Sequence, residues 1–483
     1  MSMRRASLAI VALASVAAVA CTAPESAPRN GAPPTSAPGV HPSQTGDGPG
    51  AQADAIETEG EQDRIDRVGV APVTGPTRSE PAPGWAGSVL FGSGNDWEPA
   101  TAADPGAPYV YILTTRYSGP GQLPCARCDI PAIALKVSSD GGSTFGSVSY
   151  LPVDDPGGQY DPQIETDASG DVFAAWIDGD FRIVFSRSSD HGVTWTAPVR
   201  VHDGVGWGDH PWLGVSTDGQ DVYVAFNHSD SYIAQSHDGG VTWAAPIKLN
   251  HQDRYHYANG LVVAPNGNVT ITNANYPRNE GYAGPVKILA SRSSDGGATW
   301  DTTVVDVVEI SAPCLNHGCP HNHYGGHAAL AGDAAGNLVI VYDGSRAEGG
   351  AQYIYAARST DGGGTWTEPQ QISPGGREII ATEPAAVGSG DCDIRVIWLD
   401  SRSGIERWNT WFRRSTDCGF TWSDDVRLSD AVSGRGYVFA RGFAADYGDY
   451  SEIAVTSTGS TFAVWGEGFS YHGPGGTWYN RSV

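Results

Sequence analysis

The chain is poor in basic residues and, over one long stretch, contains no aromatic residue. Its 29 lysines and arginines are outnumbered by 54 aspartates and glutamates. The resulting net charge of −25 argues against nucleic acid or an anionic membrane surface as the main partner. Residues 22–84 contain no Phe, Trp or Tyr and consist mainly of Pro, Ala, Gly, Ser and Thr. Such a stretch cannot bury enough apolar surface to fold, so we expect a disordered tether whose ends average about 40–50 Å apart.

The N-terminus carries the features of a secretory signal. Two arginines precede a short apolar run, Ala6 to Ala20, and small residues come directly before Cys21. This pattern predicts a signal peptide over residues 1–20 and not a membrane span. Ala18-Val19-Ala20-Cys21 resembles the lipobox of bacterial lipoproteins, in which the cysteine is lipidated. We therefore expect an exported cell-surface lipoprotein with a lipidated Cys21 and a tether over residues 21–84; the alternative is ordinary cleavage and free secretion.

One phrase, S-x-D-x-G-x-T-[WF], is repeated through the rest of the chain, and we call each copy a box. The six boxes recur at intervals of 48 to 66 residues and begin at Ser138, Ser188, Ser236, Ser293, Ser359 and Ser415. This period is typical of four-stranded propeller blades. The Asp can accept hydrogen bonds from backbone N–H groups just ahead of it, and Gly allows the positive φ of a tight turn. Because six equivalent acids cannot share one catalytic site, we interpret the boxes as structural turns.

A second repeat lies between the boxes and occurs seven times. Each module has an inner strand that opens with an acidic, histidine or aromatic residue, followed by a strand that ends in an aromatic residue. The seventh module ends with Gly476–Arg481 and lacks a fourth strand, for which Ser88–Phe91 is the best candidate. Borrowing that strand closes the ring and removes exposed edges. We therefore predict an all-β, seven-bladed β-propeller over residues 85–483, closed by an N-terminal strand, with six blades as the fallback.

Propeller topology sorts the candidate residues onto one face. Connections between blades and loops between second and third strands share a face, here called the loop face, and the boxes lie on the opposite box face. The longest loops belong to the loop face, where function usually resides. Ionisable residues begin the inner strands there: Glu98, Asp161, His210, His327, Glu383 and Asp449. Residues after the second strands join them: Arg116, Asp178, His228, Asn275, Asp343, Arg346, Asp400, Arg402 and Glu467. For about half of these residues the simpler interpretation is structural, with acids that bond backbone N–H groups of adjacent blades.

The boxes resemble those of the sialidase (neuraminidase) superfamily, also called BNR or Asp-box proteins. Trp398-Leu399-Asp400-Ser401-Arg402, Trp408-Asn409-Thr410-Trp411, Tyr447-Gly448-Asp449-Tyr450 and Trp465-Gly466-Glu467-Gly468 resemble bacterial exported proteins labelled exo-α-sialidase. The resemblance implies three arginines that hold a sialate carboxylate, a Tyr nucleophile assisted by Glu, and an Asp acid/base.

Topology assigns this chain's residues to those roles. The arginine clamp falls to Arg116, Arg346 and Arg402, the nucleophile pair to Tyr450 with Glu467, and the acid to Asp161. His210, His327 and Glu383 are further candidates for substrate binding. The chain departs from the family pattern because no Phe/Tyr-Arg-Ile-Pro motif precedes the first box and because seven modules exceed the six blades usual in sialidases.

Apart from Cys21 the chain has six cysteines, an even number suited to disulfides in an oxidising compartment. Cys392 and Cys418 belong to box-face loops of one blade, which predicts a disulfide between them. A local bridge is also expected between Cys125 and Cys128. A third is expected between Cys314 and Cys319, in a loop rich in histidine. The alternative for that loop, a zinc or copper site, is disfavoured by export. We expect no cofactor, although a structural calcium ion would be compatible with the fold.

The leading hypothesis is a surface-tethered, monomeric propeller that acts on or binds an acidic glycan at the loop face. Exo-α-sialidase-type glycoside hydrolysis is its concrete enzymatic form. A His/Tyr pair near His327, with arginines for charge neutralisation, would also suit β-elimination of a uronate polysaccharide. The rival from another class is a non-catalytic recognition or adhesion propeller, in which the ionisable residues are structural. Contact with a membrane is expected only through the lipid anchor.

Overall fold

The computed structural model describes residues 78–92, 95–118, 131–153, 157–228, 230–250, 254–277, 285–309, 325–376, 379–404, 407–432, 434–436, 450–468 and 475–483. These residues form 29 β-strands and no helix, which confirms the all-β prediction. Within these ranges the chain accordingly has no helix long and apolar enough to cross a bilayer.

The strands are arranged as seven sheets, and six of these sheets follow chain order from the first strand to the fourth. A single strand, β1 (Val89–Leu90), precedes them. Blade 1 comprises β2 (Asn95–Ala103), β3 (Val110–Ser118), β4 (Ala132–Ser138) and β5 (Ser149–Tyr150). Blade 2 comprises β6 (Tyr160–Thr166), β7 (Val172–Ile177), β8 (Ile183–Ser188) and β9 (Val199–Arg200). Blade 3 comprises β10 (Asp209–Val215), β11 (Val222–His228), β12 (Asp230–Ser236) and β13 (Ile247–Lys248).

Blades 4 to 6 repeat the same antiparallel order. Blade 4 comprises β14 (Arg254–Val263), β15 (Val269–Pro277), β16 (Val286–Ser293) and β17 (Asp301–Val308). Blade 5 comprises β18 (Ala328–Gly332), β19 (Leu338–Ser345), β20 (Gln352–Ser359) and β21 (Gln370–Gln371). Blade 6 comprises β22 (Ala381–Ser389), β23 (Asp393–Asp400), β24 (Arg407–Ser415) and β25 (Val426–Arg427). A short strand, β26 (Arg435–Gly436), also pairs with β24. Blade 7 contains β27 (Ser451–Val455), β28 (Thr461–Gly468) and β29 (Gly475–Arg481).

The seventh blade is completed by the strand from the N-terminal side, as predicted. Val89 pairs with Tyr479 and Leu90 pairs with Trp478, so that β1 becomes the outer strand of blade 7. Phe91 follows directly and is fully buried between Val110 of blade 1 and Phe462 of blade 7. The seven-bladed prediction is therefore confirmed, together with closure by an N-terminal strand.

Apolar side chains fill the spaces between neighbouring blades. Leu113 of blade 1 and Trp176 of blade 2 belong to one cluster, whereas Ile397 of blade 6 and Trp465 of blade 7 belong to another. Full burial of each such side chain contributes about 1.5–3 kcal/mol. The first strand of every blade contacts the first strands of both neighbours, so the ring is continuous.

The boxes form self-contained hydrogen-bonded turns. In the box that begins at Ser188, the Asp190 carboxylate accepts hydrogen bonds from the Thr194 hydroxyl at 2.6 Å and the Thr194 backbone N–H at 2.7 Å. These two bonds lower the pKa of Asp190 to about 2. The Ser188 hydroxyl donates to Asp190 at 2.8 Å and accepts from the Gly192 N–H at 2.8 Å. The bonding capacity of the carboxylate is thus used inside the turn, in agreement with a structural role.

Two boxes carry a side chain where the other four have a glycine at positive φ. His191 and Cys418 both have φ of 58° and occupy that position. His191 stacks on Tyr109 of blade 1 with ring centroids 3.8 Å apart. Cys418 forms a disulfide with Cys392, which confirms that predicted bridge. Each strained turn is therefore held by a specific contact.

Closure of the ring by Phe91 can be tested by substitution. We expect Phe91→Ala to lower the free energy of unfolding by about 3–5 kcal/mol, because it removes a fully buried ring at the junction of blades 7 and 1. Val89→Ala is the matched control, since Val89 is 46% exposed in the same segment. Urea unfolding of both variants is the measurement. Equal effects of the two substitutions would contradict this account of closure.

Candidate functional site

Four inner strands share one irregularity at the end that opens onto the loop face. At this point the antiparallel register shifts, and a non-glycine residue adopts a left-handed conformation. These residues, each followed by proline, are Glu98 (φ 54°), Asp161 (φ 50°), His210 (φ 51°) and Glu383 (φ 48°). Such conformations cost about 1–3 kcal/mol each and are concentrated at functional sites. The irregularity therefore occurs at four of the six ionisable residues that the sequence predicts at the starts of inner strands.

Glu98 is used to connect blades. Its carboxylate accepts a hydrogen bond from the Asp161 backbone N–H at 3.1 Å and another from the Tyr117 hydroxyl at 2.6 Å. Blade 1 is thereby bonded to blade 2. The structural interpretation of such acids therefore applies to Glu98.

A central cavity opens on the loop face, between blades 3, 4, 5, 6 and 7. Its walls include His210, Tyr257, Asn259, His327, Glu383 and Tyr450. The cavity has a volume of about 40 Å³. A single water needs roughly 10–15 Å³, so the described cavity can hold a few waters or one functional group of a larger ligand.

His327 is fixed between two carboxyl groups. The Asp343 carboxylate accepts hydrogen bonds from the His327 backbone N–H and from Nδ1, both at 2.9 Å. Because an ionised carboxylate only accepts, Nδ1 carries the proton and Nε2 of the neutral ring is the basic nitrogen. Nε2 faces Oε1 of Glu383 at 3.4 Å. The imidazole is thus held in one tautomer with its basic nitrogen turned toward Glu383.

Asp343 is itself held by neighbours on two blades. It is fully buried and accepts hydrogen bonds from the Thr382 hydroxyl at 2.8 Å and the Gln352 amide at 3.1 Å. Thr382 belongs to blade 6, whereas Asp343 and His327 belong to blade 5. The orientation of His327 therefore depends on the junction of blades 5 and 6.

Glu383 is a weak acid near neutral pH. Burial raises its pKa to about 7 against the opposing effect of His327, and the Asp343 carboxylate acts in the same direction as burial. A carboxyl group that is partly protonated at pH 7 can donate a hydrogen bond, which an ordinary glutamate cannot.

His210 forms the opposite wall and is uncharged. Its ring lies between Tyr257, at 4.3 Å between centroids, and Tyr450, at 4.7 Å. Burial lowers the pKa of His210 to about 3; His327 adds a smaller effect in the same direction when its ring is protonated, and the Ala258 backbone has the opposite effect. The cavity thus combines an acid–base wall at His327 and Glu383 with a neutral aromatic wall around His210.

The three predicted clamp arginines are not brought together. The Arg116 guanidinium binds Asp96 through two hydrogen bonds of 2.6 and 3.0 Å. Arg346 binds Asp306 at 2.6 Å and covers the Tyr355 ring. None of the three lines the cavity.

Arg402 shows most clearly why the clamp does not form. It binds both Asp400 oxygens at 2.9 Å, pairs with Asp425, and lies 3.6 Å from the centre of the Trp411 ring. Each of the three arginines is neutralised by a nearby acid. The arrangement therefore differs from the predicted carboxylate clamp.

The predicted catalytic residues are also separated. Tyr450 lines the cavity, and Asp161 lies at the loop-face end of blade 2 outside the cavity wall. Glu467 is buried outside that wall, where it accepts hydrogen bonds from the Ser429 hydroxyl at 2.7 Å and the Trp465 indole at 3.0 Å. Of the nine residues predicted for catalysis and substrate binding, the cavity brings together His210, His327, Glu383 and Tyr450.

Several predictions fall on residues outside the described ranges. These are the lipidated Cys21, the Cys125–Cys128 and Cys314–Cys319 bridges, the histidine-rich loop and Asp449, and they stay predictions. Within the described ranges, the group of potential ligands that clusters tightly is Asp333 with Cys392 and Cys418. Its two sulfurs are bonded to each other.

Sequence reasoning missed part of the cavity. Tyr257 and Trp212 were not predicted, and Asn259 and Asp343 were not selected as site residues. One signal was available for Asn259, because Asn259-Gly260 occupies the module position held elsewhere by Glu98-Pro99 and His210-Pro211. Tyr257 had no such signal, since it precedes that position in the least regular module.

The comparisons with known proteins support the fold. No protein-family model and no curated protein matches the chain. An ulvan lyase of a new polysaccharide lyase family, bound to -[GlcA(1-4)Rha3S]-, is similar with a TM-score of 0.51 at 12% identity over 82% of this chain and 95% of its own. The Hadza microbial sialidase Hz136 is 15% identical, with a TM-score of 0.44 over 74% of each chain. The intramolecular trans-sialidase from Ruminococcus gnavus is 13% identical, with a TM-score of 0.42 over 83% of this chain and 98% of its own.

At such identities the likeness is one of fold alone. Support for the shared fold comes from the ulvan lyase, whose TM-score is above 0.5. The predicted resemblance is therefore confirmed for the propeller fold, whereas activity has to be argued from the cavity.

The raised pKa of Glu383 makes stability depend on pH. From its ordinary value of about 4.5 up to about 7, native Glu383 keeps a proton that the unfolded chain loses. The free energy of unfolding therefore falls as pH rises through this window, by at most about 3 kcal/mol. We expect Glu383→Gln to have little effect at about pH 5 and to be stabilising relative to wild type above about pH 7.

Urea unfolding at the two pH values checks this expectation. Glu368→Gln is the control, because Glu368 is exposed and its substitution should shift both curves equally. The expectation would be contradicted if the difference in free energy of unfolding between wild type and Glu383→Gln were the same at both pH values.

Proposed function

We propose that the chain is a carbohydrate-active propeller that cleaves an acidic glycan at the central cavity by β-elimination beside a uronate carboxylate. The observation that carries this proposal is the bonding of His327, whose Nδ1 is held by Asp343 and whose Nε2 faces Glu383 within a cavity that also contains Tyr450. A fixed base, an acid and a hydroxyl donor are the groups that this elimination requires.

The proposed step transfers two protons. Nε2 of His327 removes the proton from the ring carbon that bears the carboxylate. The electron pair of that C–H bond forms a C=C double bond, and the bond from the adjacent carbon to the glycosidic oxygen breaks. The Tyr450 hydroxyl donates a proton to the departing oxygen. The products are a shortened glycan and an unsaturated uronate, so atoms and charges balance.

Glu383 is proposed to neutralise the substrate carboxylate. Loss of the carbon-bound proton places negative charge on that carboxylate, and a hydrogen bond from a protonated carboxyl group stabilises it. Burial raises the pKa of Glu383 to about 7, so part of the protein carries this proton at neutral pH. This role requires no arginine in the cavity, consistent with the pairing of Arg116, Arg346 and Arg402 elsewhere.

Sialidase-type hydrolysis is the second candidate. The resemblance of the boxes and the position of Tyr450 in the cavity favour it. The separation of the arginines and the burial of Glu467 outside the cavity wall count against it. A non-catalytic recognition propeller remains the alternative from another class, for which the cavity would bind a glycan without turnover.

We also propose that the protein is exported and held at the cell surface through a lipidated Cys21. The Cys392–Cys418 disulfide supports an oxidising compartment. A monomeric propeller at the end of a flexible tether would reach glycans close to the surface that carries it.

Substitution of the proposed base and acid tests the activity. We expect His327→Asn and Tyr450→Phe each to lower kcat by about 10²–10⁴-fold, since each removes one proton-transfer group. The measurement is the ultraviolet absorbance of the new double bond, with glucuronate-containing and iduronate-containing polysaccharides as substrates. His237→Asn is the control, because His237 lies on the box face beside Asp221 and should retain the wild-type rate.

The same panel includes sialosides. Release of sialic acid without formation of a double bond would replace elimination by hydrolysis. A wild-type rate in the His327→Asn variant would overturn both the assigned base and the proposal built on it.

Asp343 is expected to act as a positioning residue for this reaction. Asp343→Asn can donate to Nδ1 of His327 and so favours the wrong tautomer, with Nε2 protonated. We expect kcat to fall by about 10–100-fold with little change in KM, as when other groups that orient a histidine are replaced. Thr382→Val is the graded comparison, because it removes one hydrogen bond to Asp343 and leaves the carboxylate in place. An unchanged kcat in Asp343→Asn would contradict this role.

A further inference from the structure

The neutral wall of the cavity contains polar atoms that the described protein leaves unpaired. Neither ring nitrogen of His210 makes a hydrogen bond of normal geometry to any described residue, and the same holds for the indole nitrogen of Trp212. His210 is 96% buried, since its exposed fraction is 4%. An unpaired buried polar group costs about 1–3 kcal/mol. Both residues line the cavity, where a ligand can supply the missing partners.

The protein holds these two side chains in a fixed arrangement despite that cost. His210 has a left-handed backbone conformation, with φ of 51°, and its ring is stacked between two tyrosines. Trp212 meets the His210 ring edge to face, with centroids 5.7 Å apart and planes at 85°. Strain and unpaired polar atoms that persist together at a cavity are typical of a binding site, because binding rather than folding satisfies them.

The chemistry of the two groups limits what they can bind. A neutral imidazole offers one donor and one acceptor, and an indole N–H offers one donor. His210 stays neutral because burial lowers its pKa to about 3, so it brings no positive charge. A hydroxyl group both donates and accepts hydrogen bonds, so it matches the donors and the acceptor that His210 and Trp212 offer. A sulfate ester has no hydrogen to donate, and neither side chain offers a positive charge to offset its negative charge.

We propose that His210 and Trp212 form a subsite for a ring hydroxyl of the bound sugar, and that this subsite selects a uronate without a sulfate ester at that position. The inference rests on the proposed function, since it places the sugar whose carboxylate meets Glu383 against the opposite wall. His327 and Glu383 then act on the reacting bond, while His210 and Trp212 recognise the sugar.

Binding measurements on the full chain test the subsite apart from turnover. The parent is His327→Asn, which prevents cleavage, and to it we add His210→Phe or Trp212→Phe. The probes are an unsulfated glucuronate oligosaccharide and the same oligosaccharide with an O-sulfate on the glucuronate ring. Titration calorimetry should show that the parent prefers the unsulfated probe. Each added substitution should weaken that binding by about ten-fold, corresponding to one lost hydrogen bond.

Stability of the single variants gives an independent readout. His210→Phe keeps an aromatic ring between the two tyrosines and removes the unpaired nitrogens, so its Tm should equal or exceed that of wild type. A merely structural histidine would instead lose stability on this substitution. Trp212→Phe keeps an aromatic ring, which guards against a variant that simply fails to fold.

The outcomes separate the subsite from the reaction. Affinities equal to the parent in both added variants, equal affinity of the parent for the two probes, or binding of neither probe would overturn the subsite. A lower Tm of His210→Phe with unchanged affinity would overturn it as well. If wild type cleaves no uronate glycan but the predicted affinity pattern holds, the proposed function fails and the subsite stands.

Discussion

Backbone groups on the inner edge of each blade have no further strand to pair with, and this constraint shapes the whole ring. Side chains of the preceding blade in the ring satisfy some of them. Glu98 accepts the Asp161 N–H, Asn227 accepts the Ala258 N–H at 2.9 Å, and the Glu452 carboxylate accepts the Thr101 N–H across the junction that closes the ring. Because every inner strand contacts both neighbours, the seven blades are mutually dependent, and the borrowed strand β1 is needed to complete the last of them.

The same inner-strand position serves both structure and chemistry. At Glu98 a left-handed residue before proline bonds the next blade, whereas at His210 and Glu383 the equivalent residue faces the cavity. The fold therefore supplies one strained position many times, and the local surroundings decide its use. At Glu383 burial and the neighbouring Asp343 produce a weak acid, while at His210 two tyrosines produce a neutral ring. Function has been built by changing side chains at a position that the scaffold already holds rigid.

Much of the architecture was predictable because it repeats. The box period indicated the blades, the missing seventh box indicated the borrowed strand, and the location of Cys392 and Cys418 on one face indicated their disulfide. The partners of the arginines could not be predicted, because Arg346 pairs with Asp306 of another blade and Arg402 with Asp425 of a different strand. Residues on one face were predicted as a set, but which of them converge depends on strand register and on irregularities such as the one at Tyr257 and Asn259. The pKa values of Glu383 and His210 depend on burial, which a linear pattern does not specify.

The first described residue shows on which side of the propeller the preceding chain is attached. Arg78 donates to the Asp430 carboxylate at 2.7 Å and forms a backbone bridge with Ala431, in the connection from blade 6 to blade 7. Connections between blades lie on the loop face, so the preceding chain joins the propeller on the side where the cavity opens. If Cys21 is anchored in a membrane, the tether then meets the propeller on the same side as the cavity. Attachment on that side would keep the cavity within the reach of the tether from the surface that carries the protein.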